Sequence, residues 1–368
     1  MERDHKLMNL NIEDKRILKF IRNNADRFLN SKLSQILIKF LIEVNDIKLK
    51  FGRVDSEANY REKNKNSNLK QEVFRNLTQL FVLIGKIENI FDEPFLIKIK
   101  KMFRETLSLQ ISKSELFKRG YQKPKGYPGD FRMLEFIYNN CPISKKIGFF
   151  LDQYFLQEDY IKVIRDRKDW MKDKLRNLIK KSEKQLKILN LACGPCREIR
   201  ELLFDNSIPC DKSIDFVLVD QDSETLKFAK EKISKIVIPK MKLSFIKADV
   251  ISFFKSESFN RYKVVKFDLI YSIGLADYLP DSILGSLMRY SFNSLCVGGC
   301  LIIAHKNIKI YPALVADWMC DWKFLPRSVN DLKQLIMKSL EKEKSRVKVK
   351  LEMKKNERVF FFTITKEK

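Results

Sequence analysis

Cys193 and Cys196 stand two residues apart in Asn190-Leu-Ala-Cys-Gly-Pro-Cys-Arg197, a spacing at which two thiols can trade electrons. The same eight residues also read as the turn between an apolar strand and a helix, where backbone amides can cradle a nucleotide-like ligand. The two chemistries make different demands on the rest of the chain. A reactive dithiol needs a thiolate at a helix N-terminus and a small unit to cover it. A cradle needs a carboxylate at the tip of the following strand, to take the two hydroxyls of a ribose.

The chain supplies the second set. Ile-Asp-Phe-Val-Leu-Val-Asp (214–220) is an apolar run ending in Asp220, 26 residues after Gly194, against a usual spacing of about 20. Lys-Leu-Ser-Phe-Ile-Lys-Ala-Asp-Val (242–250) then brings Asp249 to the end of the next run, where an adenine edge would lie. Thioredoxin-like sites usually carry Trp before the dithiol, whereas Ala192 precedes Cys193 here, and no segment stands out as a cover. Two acids at successive strand tips favour the cradle over the dithiol.

The elements that must position these groups follow from periodicity. Residues from about 10 to 115 recur in apolar type at three- and four-residue spacing, as in 33–44 and 73–91, and read as helices. The polar stretch 51–70 between them reads as a loop or frayed helix. Gly-Tyr-Gln-Lys-Pro-Lys-Gly-Tyr-Pro-Gly-Asp-Phe (120–131) marks an ordered turn. After a further helix, apolar runs at 186–192, 214–220, 242–250, 267–274 and 301–306 alternate with helical segments, which argues for a parallel, doubly wound sheet. The tail 346–366 reads as two strands joined by a turn at Lys355–Glu357, necessarily antiparallel. The expected architecture is α/β: a helical N-terminal domain over 1–150, covering the substrate, and a Rossmann-like domain over 151–368.

The loop resembles the first motif of class I S-adenosylmethionine (SAM) methyltransferases, in which an acid precedes Gly-x-Gly-x-Gly. Asn190 stands in place of the acid, Ala192 and Cys196 in place of two glycines, and Gly194 alone is kept. Three further segments, 123–138 (KPKGYPGDFRMLEFIY), 271–281 (YSIGLADYLPD) and 311–328 (YPALVADWMCDWKFLPRS), together with 190–199, are similar to the methyltransferase family of 3-hydroxypalmitic acid methyl ester biosynthesis. The likeness covers roughly residues 120 to 330. It implies a SAM-binding Rossmann-like domain behind a helical N-terminal part, O-methylation of an acyl or fatty-acid-type carboxylate, and a small or lipid-like acceptor.

On that resemblance Asn190, Ala192, Cys193 and Gly194 line the methionine end of SAM, Asp220 takes the ribose and Asp249 the adenine. Gln221, Val250, Ser272 and Tyr127 complete the expected cofactor set, and Tyr127 with Asp130 is either a lid or a structural turn. His305, at the end of the fifth strand, is a candidate base or carboxylate donor, or a histidine that caps local backbone. Tyr278 either lines the methyl site or packs. Asp277, Trp322 and Arg327 are candidate acceptor residues, the planar fork of Arg327 suiting a carboxylate; Trp318 reads as helix packing or acceptor wall. No metal site is expected.

The formal charge of +25, from 72 Lys and Arg against 47 Asp and Glu, raises nucleic acid as an alternative partner. Lys is scattered, though, and no run joins Arg with stacking aromatics. No Asn-Pro-Pro-Tyr-type segment and no Pro-Cys pair after the fourth strand points to base methylation. RNA methylation is therefore the second reading, and a SAM-binding partner protein without turnover the third, prompted by the lost glycines. The charged first residues and the lack of a long apolar run lead to the expectation of a cytoplasmic protein without a membrane span. Seven cysteines, an odd number, are expected as reduced thiols.

Overall fold

A computed structural model of the chain describes residues 12, 14–24, 26, 31–58, 63–205, 212–235, 240–256, 259, 266–307, 312–353 and 358–368. Cys210 and the turn expected at Lys355–Glu357 lie outside the described residues.

In chain order the helices before the sheet are α1 (Lys15–Asn23), α2 (Ser31–Glu57), α3 (Lys63–Glu88), α4 (Glu93–Thr106), α5 (Ser108–Ile111), α6 (Glu115–Gln122), α7 (Phe131–Asn139), α8 (Ile147–Gln157) and α9 (Asp159–Lys181). There follow β1 (Leu186–Leu191), α10 (Arg197–Phe204), β2 (Ile214–Asp220), α11 (Ser223–Ile233), β3 (Met241–Lys247), α12 (Val250–Lys255), β4 (Phe267–Ser272) and α13 (Asp281–Asn293). The last elements are β5 (Leu295–Lys306), α14 (Leu314–Cys320), α15 (Val329–Ser339), β6 (Val347–Met353) and β7 (Val359–Lys366).

The chain forms two compact units. One holds Met1–Gly129, Asn139–Glu158 and Ala313–Lys323; the other holds Asp130–Tyr138, Asp159–Pro312 and Phe324–Lys368. This interleaved division differs from a single cut at residue 150, and ion pairing explains the outlying piece. Lys100 on α4 pairs with Asp317 on α14 at 2.6 Å and with Glu88 on α3 at 2.7 Å. Trp318, next along α14, donates from Nε1 to Glu88 at 2.6 Å and lies edge-on to Phe40 and Phe103. The segment 313–323 is thus bound into the helical unit, far in sequence from its first residues. Trp318 is a packing residue there.

The helical unit also revises the polar stretch 51–70. Phe40, Val44, Ile47, Phe51 and Val54 form one buried stripe on α2, so that helix runs on to Glu57. Leu69 and Val73 are buried on the next helix, which already starts at Lys63.

In the other unit the sheet order is β3-β2-β1-β4-β5-β7-β6. The first five strands are parallel and follow the 3-2-1-4-5 order of a doubly wound nucleotide-binding sheet. β7 enters antiparallel beside β5, and β6 pairs antiparallel with β7 on the edge. The strands read as near-continuous apolar runs because both faces are covered. Leu189, Val219, Ile270 and Ile303 face α12, α13 and α15, whereas Ile188, Phe216, Leu218 and Tyr271 face α9, α10 and α11. Each fully buried side chain of this size contributes about 1.5–3 kcal/mol. The two cores hold the strand tips in register.

Candidate functional site

Between β1 and α10 the backbone turns through three left-handed residues: Ala192 at φ 54°, Gly194 at φ 55° and Cys196 at φ 51°. These are the three places where the related motif carries glycine. The loop therefore keeps the glycine conformation without two of the glycines, at roughly 1–2 kcal/mol for each L-residue held there. The cost is met by anchoring. Cys193 donates its amide to the carbonyl of Val219 on β2 at 2.9 Å, and Cys196 closes back on Cys193 O at 3.1 Å. Both thiols point at the Gly194 carbonyl, at 3.7 and 3.8 Å. Arg197 and Arg200, in the first turn of α10, both pair with Glu135 on α7.

The same burial decides the fate of the dithiol. Burial pushes the Cys193 thiol well above its ordinary range. At Cys196 the neighbouring thiol pulls down, but burial together with Glu198 and Asp220 outweighs it and the thiol is raised too. A redox or nucleophilic pair needs the opposite shift.

Asp220 ends β2 and is buried, with Oδ2 accepting the Gly194 amide at 2.9 Å and Oδ1 the Asp222 amide at 3.0 Å. Burial raises its pKa above 3.8, although the amides of Asp222 and Gly194 act to lower it. Its carbonyl accepts the amide of Ala248 at 3.0 Å, which sets the tip of β3 beside the tip of β2. Asp249 follows there. It is exposed and caps α12, Oδ1 accepting the amides of Ile251 and Ser252, both at 3.0 Å. A hydrogen bond from the Ser252 side chain, together with those amides, holds its carboxyl below 3.8. Gln221 is exposed just past Asp220, and Val250 is the buried first residue of α12.

Asn190 is buried and donates from Nδ2 to Glu198 Oε1 at 3.0 Å. Tyr271 on β4 donates its hydroxyl to the same oxygen at 2.8 Å. Glu198, in the first turn of α10, thus places a carboxylate under the loop whose own motif acid has become an amide. Burial raises its pKa despite these donors. Sequence reading passed over Glu198 because an acid in the first turn of a helix is ordinary dipole complementation.

A second cluster forms at the C-terminal ends of β4 and β5. Asp277 is fully buried, Oδ2 accepting from Arg167 Nη1 at 3.1 Å and Oδ1 from the Lys306 amide at 2.8 Å. Burial alone would raise its pKa, but the charges of His305, Lys306 and Arg167 hold it below 3.8. His305 Nδ1 lies 2.8 Å from the Lys306 carbonyl, so Nδ1 carries the proton and donates it there. Nε2 is buried and without a hydrogen-bond partner among the described residues. Ser272 pairs in register with Ile303, so His305, two residues further on, faces the same side of the sheet. The Ser272 hydroxyl also lacks a partner among the described residues. Tyr278 packs its ring against Phe324, centroids 5.4 Å apart.

Arg327 turns its fork onto the loop after β4. Nη1 donates to Ala276 O at 2.9 Å, Nη2 to Leu279 O, and Nε to Asp281 Oδ1 at 2.8 Å. Its fork is consumed in fastening the loop after β4.

Among solved structures, the chain is similar to a possible exported protein from Bordetella parapertussis, at 14% identity and a TM-score of 0.50, over 92% of this chain and 99% of that one. That likeness is one of fold. Similarity over a smaller part extends to magnesium protoporphyrin IX methyltransferase from Synechocystis PCC 6803 with bound SAM, at 10% identity, a TM-score of 0.39, and 57% and 84% of the two chains. It extends as well to a SAM dependent methyltransferase from Archaeoglobus fulgidus, at 14% identity, a TM-score of 0.38, and 54% and 94%. No protein family model matches the chain, and no curated protein does.

Tyr127 and Trp322 belong to the helical unit. Trp322 is buried with its ring against Gly129, where an added Cβ would come 2.7 Å from Cζ2. Gly129 also has φ 77°, so the Tyr-Pro-Gly-Asp turn requires glycine on both counts. Trp322 is a floor for that turn. Asp130 begins the other unit and caps α7, accepting the Met133 amide at 3.0 Å. No described helix is long and apolar enough to cross a membrane. Among the described residues no His, Cys, Asp and Glu are grouped as a metal would require.

Proposed function

We propose that the chain is a SAM-dependent methyltransferase of the class I fold, transferring a methyl group to an oxygen of a small, fatty-acid-type carboxylate. The observation that carries this reading is the loop Ala192–Cys196. Its backbone is left-handed at all three glycine positions of the related motif, and its central amide is tied to a buried carboxylate at the next strand tip. Elaborate strain of this kind is retained where the turn itself is used.

The residues present suit the cofactor. Around Gly194 an added Cβ would meet only Leu134 Cδ1, at 3.6 Å, so the loop surface is open there. Each Asp220 oxygen already holds one amide and keeps a lone pair, a donor-accepting set suited to a ribose diol. Asn190 and Glu198 under the loop suit a methionine ammonium, and Asp249 with Val250 the adenine side. SAM supplies an activated methyl group when bound.

The remaining work falls to the chain. It must hold the acceptor oxygen in line and exclude water, and orientation alone supplies several kcal/mol. A carboxylate acceptor is ionised at neutral pH and needs no base. The unpartnered Nε2 of His305 favours a second reading, in which a hydroxyl acceptor gives its proton to that nitrogen. Incubation with methyl-labelled SAM and, separately, decanoate, a hydroxy fatty ester and RNA tests the three acceptors. Label in methyl decanoate that persists in His305→Ala supports the carboxylate. Label only in the hydroxy ester, lost in that variant, replaces it with the hydroxyl, and label only in RNA removes both.

A further inference from the structure

Phe131, Leu134, Glu135 and Tyr138 recur on α7 at i, i+3, i+4 and i+7, so one face of that helix carries all four. Each meets a different part of the α/β unit. The Phe131 ring lies 5.1 Å from that of Phe228 on α11, centroid to centroid. Leu134 Cδ1 stands 3.6 Å from where a Cβ on Gly194 would sit. Glu135 takes Arg200 Nη1 on Oε1 at 2.8 Å and Arg197 Nη1 on Oε2 at 3.1 Å, both from the start of α10. Lys168 Nζ on α9 lies 6.0 Å from the centre of the Tyr138 ring. These contacts explain why 130–138 packs with the α/β unit although the segments on either side of it belong to the other. They also lay α7 across the loop 192–196.

Open α/β sheets take ligands outside the carboxyl ends of their strands, which here puts Gly194 and Asp220 on one side of the cleft and Leu134 on the other. Leu134 is half-buried, whereas Phe131, Met133 and Ile137 of the same helix are buried. Apolar area left to water is area that a ligand on the loop can cover. The Glu135 pairs are of another kind. Their side chains are 15–21% exposed, so the pairs feel salt and can open without stranding a deeply buried charge. Arg197 keeps Glu201 through Nε at 2.9 Å whether or not Glu135 is there. A ligand held between α7 and the loop enters and leaves only when such a fastening opens.

We propose that α7 is the outer wall of the cofactor cleft, with Leu134 packing on the homocysteine end of the bound cofactor and the pairs of Glu135 with Arg197 and Arg200 latching the helix over it. The proposal rests on the methyltransferase reading for the identity of the ligand. The loop and Asp220 supply the hydrogen bonds, while α7 supplies an apolar contact and sets the rate of exchange. Leu134 touches the cofactor, and Glu135 acts through the helix as a positioning residue.

The test compares wild type, Leu134→Ala and Glu135→Gln as full chains, with S-adenosylhomocysteine and with adenosine, which lacks the homocysteine end. Surface plasmon resonance on the immobilised chain reads affinity and release rate at low and high salt. Leu134→Ala is expected to weaken S-adenosylhomocysteine about tenfold and adenosine less than about twofold. Retained adenosine binding shows that this variant is folded. Glu135→Gln is expected to release S-adenosylhomocysteine at least about fivefold faster. High salt is expected to speed release from wild type and to leave the rate of that variant unchanged. Equal loss of both ligands in Leu134→Ala, or wild-type release rates in Glu135→Gln, overturns the proposal. The latch is read without ligand as well: amide hydrogen exchange over 131–138 is expected to be about tenfold faster in Glu135→Gln than in wild type. Equal exchange overturns the latch. Failure of wild type to bind either ligand strikes the methyltransferase reading instead, and the exchange comparison still decides whether Glu135 fastens α7.

Discussion

The carboxylate of Asp220 holds the backbone amide of Gly194 at 2.9 Å, across the tips of two adjacent parallel strands. The bond joins the most strained turn of the α/β unit to a buried acid, and each makes the other useful. Without the turn the amide would not reach. Without the acid a left-handed loop would have one anchor fewer.

Strain in that loop is measurable. Ala192 sits at φ 54° and loses only a methyl group on substitution by glycine. Relief of the left-handed penalty, about 1–2 kcal/mol, exceeds the entropy that glycine costs, about 0.5–1 kcal/mol. Ala192→Gly is therefore expected to stabilise the protein by roughly 0.5–1 kcal/mol in urea unfolding. A destabilised variant would mean that the turn is not left-handed at 192.

Arg327 separates a structural from an acceptor role. Its fork satisfies two carbonyls of the loop after β4 from a buried position, whereas its partner Asp281 is exposed and adds little. Arg327→Ala is expected to cost about 2–3 kcal/mol of stability while S-adenosylhomocysteine affinity stays within about twofold of wild type. Unchanged stability with loss of acceptor binding alone would return the carboxylate to Arg327.

Asp277 gives a pH signature. Its pKa lies below the ordinary 3.8 in the folded protein, so the folded state binds fewer protons than the unfolded chain between those two values. The stability it provides is complete above pH 3.8 and is lost as pH falls through the lower, folded value. Asp277→Asn keeps the acceptor oxygen but leaves Arg167 without its anion, which is expected to cost about 3–5 kcal/mol at pH 7. Tm followed from pH 7 to pH 3 should show a weaker acid-limb loss in the variant than in wild type. Parallel curves would show that Asp277 is not an ionised partner of Arg167.

Much of the sheet was legible because strands covered on both faces write unbroken apolar runs, as Ile214–Asp220 does. Asp220 was legible for a related reason, since a strand tip ends its run at a fixed place. The segment 51–57 misled because its arginine and acids hide Phe51 and Val54, which continue a stripe begun several turns earlier. Glu198 was hidden for a different reason. Its surroundings come from β1 and β4, and no local spacing reports such a meeting. At Arg327 residue type indicates what a fork can bind, while the carbonyls it does bind are set by the loop's path.

Titration of S-adenosylhomocysteine into the full chain, wild type against Asp220→Ala, tests the central claim most directly. The account predicts binding by wild type and a loss of about ten- to a hundredfold in the variant, with cooperative unfolding retained. No binding by wild type, or the same affinity in a folded Asp220→Ala, would contradict it.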